Sequence, residues 1–320
     1  MGPFRFKPLF KQTLWGGGKI ALLKHVDSAP GNVGESWEIS GVRGSETMVS
    51  GGEYAGLTLS ALVGQLKERL VGRDNYDHYG NYFPLLIKFI DACEPLSIQV
   101  HPSDEVARRQ GKGIGKTEMW YVMDSDPDAS LMAGLSKHIT PEQYEQMAKD
   151  GSIADAVATY PVKEGDCFFL PAGRIHSIGK GCFLAEIQQT SDITYRICDF
   201  NRKDKNGNYR QLHIKEAEES IDFHVEANYR SYYVPEPGEG VPLVHCSYFH
   251  TFVYDLTKPT TIDLSNLDSF VIVIVMRGQG TLTDDEGHLE QVRAGETLLF
   301  PATTKTITTG GSLKFLVTYA

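Results

Sequence analysis

Apolar residues along this chain come mostly in short runs or in strict alternation with polar ones, interrupted every few residues by Gly, Pro, Asn or Asp. That pattern predicts many short strands. Helical spacing is confined to three stretches. Residues 58–71 (TLSALVGQLKERLV) carry apolar positions at helical intervals behind a Thr/Ser start. Residues 140–149 open with Thr140-Pro141-Glu142, an N-cap followed by proline at the first helical position and an acidic first turn. Residues 214–220 predict a further turn or two. Asn206-Gly207 within KDKNGNY signals a hairpin turn. A mainly β chain with a few short helices is expected.

The strand pattern contains a repeat. Residues 165–172 (GDCFFLPA) and 295–302 (GETLLFPA) share the form G-[acid]-x4-P-A. In each, an acidic turn feeds an apolar strand that stops at proline, which cannot donate to a continuing ladder. Two copies predict two similar β-barrels, whereas a solenoid needs three or more repeats. The Pro/Gly-rich stretch 234–240 (VPEPGEG) is the expected boundary, dividing the chain into 1–235 and 236–320. The same stretch also reads as a long loop inside one packed unit.

A chain of 320 residues can bury most of its unfolded surface without covalent staples. The five cysteines (Cys93, Cys167, Cys182, Cys198, Cys246) are odd in number and form no C-x-x-C pair. They argue against a disulfide framework or a cysteine-rich zinc site, and predict free thiols in a reducing cytosol. The first residues, MGPFR, carry no apolar signal region. The longest apolar run, 270–276, is far short of the ~20 residues that span a bilayer. A soluble cytoplasmic protein is expected. The net charge of −10 repels polyanions, so neither nucleic acid nor an acidic membrane is an expected partner. A phosphorylated substrate would need a local basic cluster against that background.

The two repeats diverge beyond their prolines. After Pro171 come Gly173 and His176, giving G-x5-P-x-G-x2-H; after Pro301 come Ala302-Thr303-Thr304-Lys305, with neither glycine nor histidine. The first pattern resembles the second metal-binding motif of cupin barrels. The expected fold is therefore a double-stranded β-helix (cupin or jelly-roll) barrel in two copies, with a metal only in the first. Partners for His176 are at hand. Gln99 and His101 share one face of the strand around Leu96–Pro102, and Lys116, Glu118 and Trp120 share one face of the next. The set Gln99, His101, Glu118 and His176 suits zinc, and the same set could hold iron(II) or manganese. As a plain structural residue, Gln99 would be a hydrogen-bonded strand position.

The strings PLSIQVHPSDE, GKTEMWYV, PAGRIHSIG and EIQQTSDITYRICDFNR resemble, in order, the zinc-dependent mannose-6-phosphate isomerases, in particular the short bacterial form. The resemblance runs from about Phe6 to the C-terminus and includes Leu14-Trp15-Gly16. It implies interconversion of D-mannose 6-phosphate and D-fructose 6-phosphate through an enediol, with one zinc per chain on Gln99, His101, Glu118 and His176. It further implies that Arg196, Lys116 and Glu186 act at the reacting centre, and that Ser97, Lys88 and Arg202 meet the phosphate. Longer members carry lysine at the position of Arg202 and a large helical insertion absent here. Trp15, beside the turn-like Gly16-Gly17-Gly18-Lys19, is expected near the substrate.

Aldose–ketose exchange needs a proton carrier and stabilisation of developing oxygen charge. Glu186 beside a metal, or Lys116 held near it, answers the first need. Arg196, permanently protonated, suits charge stabilisation. Without the resemblance, these three residues would read equally as an ion-pair network lining a barrel. Asp124-x-Asp126-x-Asp128 lacks the glycine and glutamate of a calcium loop. A non-catalytic metabolite sensor and an iron(II) dioxygenase are the competing classes. The C-terminal copy is expected to be structural or interface-forming, in a monomer or a homodimer.

Overall fold

The computed structural model describes residues 1–26, 31–204 and 206–320. Strands dominate it. A seven-stranded sheet runs Arg230–Ser231, Cys167–Leu170, Glu118–Ser125, Cys182–Gln189, Leu85–Asp91, Val33–Ile39, Leu9–Gly17 in spatial order. A five-stranded sheet faces it, in the order Tyr195–Cys198, Ile98–Val100, His176–Ile178, Ser130–Leu135, Val157–Pro161. A second seven-stranded sheet, residues 241–319, is built around the long pair Val271–Asp284 and Thr306–Tyr319. The sheets stay open rather than closing into complete barrels.

The central strands of the first sheet are buried on both faces, which is why they read as continuous apolar runs. Met119 and Tyr121 point into one core with Leu85, Ile87, Phe89, Phe183, Ala185 and Ile187. Trp120 and Val122, on the opposite face, join Trp15, Ile90, Phe168 and Leu184 in a second. Period two thus sends alternate residues of one strand to two different cores. The polar residues that fall on the second face, Lys88, Glu118 and Glu186, are carried into the interior with it.

The two repeat copies form equivalent turns. Gly165 and Gly295 have φ of 91° and 86°, open to glycine at no steric cost. Gly165 N donates to Val122 O while Asp166 O accepts from Val122 N; Gly295 and Glu296 make the same pair of bonds with Val275. Only the first copy then leads to a histidine.

The three predicted helices are present. Thr58 caps Leu59–Leu66, its hydroxyl accepting from Ala61 N, and Lys67 at φ 53° interrupts the run before Glu68–Val71. Thr140 and Gln143 form a reciprocal capping box on Pro141–Asp150. The third is Ile214–Glu218. Short helices at Lys19–Lys24, Arg73–Tyr79 and Asp104–Arg109 have too few turns for a periodic signal. Gly16 and Gly17 end a strand instead of forming a loose turn. Around Asn206-Gly207, Lys203 bridges Tyr209 and Gly207 N donates to Asp204 O, while Lys205 lies outside the described residues. Asp124 and Asp126 both pair with Lys19 at 3.0 Å.

The stretch 234–240 is a loop, and contacts cross it. Phe4 forms a β-bridge with Leu299, and Phe4, Phe6, Leu62, Phe89, Phe270, Ile272 and Leu316 belong to one core cluster. No helix among the described residues is long and apolar enough to cross a membrane.

Candidate metal centre and cavity

Two cross-strand rows build the site. In the seven-stranded sheet, the register aligns Trp37, Lys88, Glu186, Trp120 and Phe168 on neighbouring strands. In the five-stranded sheet, Gln99 lies between His176 and Arg196. His101 comes one position beyond the short Ile98–Val100 strand, on the face of Gln99.

Between the rows, the ligand atoms of His101, Glu118 and His176 lie within 4.8 Å of one another. All three residues are buried, Glu118 completely so. Glu118 Oε1 is 3.4 Å from His176 Nε2, and Oε2 is 3.4 Å from His101 Nε2. Lys116 Nζ forms an ion pair with Oε2 at 2.7 Å. The same ammonium is 2.9 Å from His101 Nε2.

The histidines are oriented from behind. His101 Nδ1 lies 2.7 Å from Ile193 O, and His176 Nδ1 lies 2.8 Å from Arg174 O. A carbonyl can only accept, so each Nδ1 carries the proton and each Nε2 turns a lone pair toward Glu118. Burial, then the Lys116 charge, pushes His101 down to about 4. Burial also lowers His176. For Glu118 burial favours the neutral acid, but Lys116, His101 and His176 outweigh it and hold the carboxyl well below its ordinary value. Neutral imidazoles and an ionised carboxylate are the forms that bind a metal.

Gln99 completes the group. Its Nε2 lies 3.3 Å from His176 Nε2, and its Oε1 accepts from Ser97 Oγ at 3.2 Å. Turning the amide over presents oxygen to the centre with the same shape. A buried, ionised carboxylate flanked by two imidazole lone pairs and an amide therefore fits a divalent metal with nitrogen and oxygen ligands.

Gln99 and Lys116 also border a cavity of about 600 Å³, whose wall includes Trp15, Glu35, Lys88, Ser97, Glu186, Arg196 and Arg210. Within that wall Lys88 Nζ is 3.0 Å from Glu186 Oε1, and Trp120 Nε1 donates to Glu186 Oε2 at 2.9 Å. Burial opposes the charge on Lys88, but Glu186 and Glu35 outweigh it and hold the ammonium above its ordinary value.

The profile of the phosphomannose isomerase type I catalytic domain matches residues 3–169, and that of the mannose-6-phosphate isomerase cupin domain matches residues 241–320. The chain belongs to the type I phosphomannose isomerase family. It is 33% identical over 302 residues to mannose-6-phosphate isomerase ManA of Bacillus subtilis (strain 168), covering 93% of each chain. It is 33% identical over 322 residues to the mannose-6-phosphate isomerase of Streptococcus mutans, covering 98% of each. The crystal structure of the mannose 6-phosphate isomerase from Bacillus subtilis superposes with a TM-score of 0.90 at 28% identity, covering both chains entirely.

In this family member the structure gathers Gln99, His101, Glu118, His176, Lys116, Glu186, Lys88, Ser97, Trp15 and Arg196 at or beside one cavity. Arg202 is placed differently. Its guanidinium bonds Asp199 and Pro95 O, and it is absent from the cavity wall. Sequence reasoning missed Arg210 and Glu35, which do line the cavity. Glu35 sits one strand from Lys88, so a register argument could have found it. Arg210 lies just past the Asn206-Gly207 turn in a segment without periodicity, and nothing in the sequence marks it.

Proposed function

We propose that this chain interconverts D-mannose 6-phosphate and D-fructose 6-phosphate, with one zinc ion per chain held by Gln99, His101, Glu118 and His176. The carrying observation is the wholly buried Glu118 carboxylate, held between two imidazole Nε2 atoms within ligand distance of one another, beside a cavity of sugar-phosphate size. When bound, zinc would supply Lewis-acid stabilisation of oxygen charge. The chain's own residues account for the rest. In the aldose-to-ketose direction a proton leaves C2 and returns at C1, while a hydroxyl proton passes from O2 to O1, through an enediol. Glu186 and Lys116, 3.9 Å apart on the cavity wall, are the groups that hold the moving proton. Arg196 faces the same space as a fixed cation and stabilises the enediolate. Residues 1–235 carry the reaction in this reading, and 236–320 support them. The free cysteines fit a reducing cytoplasm.

The test is isomerisation of mannose 6-phosphate by the purified protein, before and after chelation and zinc return, beside His176→Ala. Metal-dependent turnover that the variant lacks supports the reading. A folded, zinc-replete wild type without turnover ends it, and oxygen consumption with iron(II) would favour the dioxygenase instead.

A further inference from the structure

Three guanidiniums, those of Arg196, Arg202 and Arg210, act on a single carboxylate, Asp199. Three positive charges against one negative leave an excess of two, in a chain whose net charge is −10. The three arginines have different geometries. Arg202 donates to Asp199 Oδ1 and to Pro95 O, away from the cavity, while its Nε is buried with no acceptor. Arg210 donates from Nε to Asp199 Oδ2 at 2.7 Å and from Nη2 to Oδ1. That fork fixes its plane and leaves Nη1 without a partner among the described residues, and Arg210 lines the cavity. Arg196 donates from Nη1 to Gln211 O at 3.1 Å, next in sequence to Arg210, while its Nε is buried with no acceptor.

A guanidinium held rigid through two of its donors, with a third unused on a cavity wall, is a preformed ligand for an anion. A phosphate monoester carries about −1.5 to −2 charge at neutral pH, with several acceptor oxygens. It matches both the excess of charge and the unused donors.

We propose that Arg210 recognises the phosphate group of the substrate, and that Arg202 acts as a positioning residue that braces Asp199 and through it Arg210. This rests on the sugar-phosphate reading above. The segment after the Asn206-Gly207 turn then delivers the cation that closes one side of the cavity.

The test measures binding of inorganic phosphate to the zinc-loaded protein by calorimetry, and its competition against mannose 6-phosphate in turnover. Arg210→Ala should weaken phosphate binding and raise KM by about 10- to 100-fold, the loss of a charge-assisted hydrogen bond, with a smaller change in kcat. Arg202→Ala should cost a few-fold at most, because it touches only the brace. Arg210→Gln, which keeps bulk and one donor toward Asp199, must show a loss close to that of Arg210→Ala, and zinc content reports that each variant is folded. Phosphate binding unchanged in both Arg210 variants, or an equal loss in Arg202→Ala, would overturn the assignment. The calorimetric arm does not need turnover. If the wild type fails to isomerise mannose 6-phosphate, the function falls while the Arg210 result still stands or falls on phosphate binding alone.

Discussion

Lys88 and Glu186 stand directly opposite one another on adjacent antiparallel strands, Nζ 3.0 Å from Oε1, both almost wholly removed from water. Each is the nearest opposite charge to the other. Lys88→Met takes the nearer cation from Glu186, leaving it Trp120 Nε1 and the more distant Lys116, and is expected to cost about 3 kcal/mol in urea denaturation. Combining it with Glu186→Leu should recover most of that loss, because two apolar side chains replace two paired charges. Both variants should lose turnover, separating the stability of the pair from its role at the cavity. A single variant as stable as wild type would show that the pair is not mutually required.

Zinc is expected to bind the folded chain and not the unfolded one, so it should raise Tm. At a hundredfold excess over Kd the gain is about 2.7 kcal/mol. Glu118→Gln removes the carboxylate charge that draws the cation in, and should show little or no rise under the same titration. A zinc-induced rise of equal size in Glu118→Gln would place the metal elsewhere.

Acid should weaken the arginine corner. Burial favours neutral Asp199, but the bonds from Arg210 and Arg202 outweigh it and hold the carboxyl below its ordinary value. A group depressed in the folded state stabilises fully above its unfolded pKa, about 3.9, and that contribution disappears as pH falls through the lower folded value. The stability difference between wild type and Asp199→Asn should therefore be constant near neutrality and shrink below about pH 4. Urea midpoints across that range check it; a gap that widens in acid would contradict the assigned sign.

Gly34 leaves no space for a side chain. A Cβ there would lie 2.1 Å from Thr13 Oγ1 and 2.6 Å from Trp15 Cζ3. Gly34→Ala should push Trp15 out of the cavity wall, at about 1–3 kcal/mol of overpacking. A raised KM with altered tryptophan fluorescence is the expected result. Unchanged fluorescence and KM would mean the ring is not held against this strand.

Much of the metal centre is legible in the chain itself. His101, Glu118 and His176 can be found because each sits on or beside a strand whose alternation fixes its face, next to a proline or glycine that fixes where the strand stops. Thr140 announces its helix through local capping chemistry alone. Arg202 and Arg210 are opaque for the opposite reason. They lie in a segment without strand or helix periodicity, where which guanidinium reaches the cavity depends on how the chain folds back on Asp199. The shared core is hidden too, since the apolar pattern of Phe4 says nothing about a partner at Leu299.

That bridge between Phe4 and Leu299 has a consequence for the order of folding. Its two partners are about 300 residues apart along the chain, and core neighbours of Phe4 such as Phe270 and Leu316 are equally remote in sequence. A loop that long must be closed before the contact rewards it, so this seam belongs to the last steps of folding, and Phe4 and Phe6 stay unsheltered until it forms.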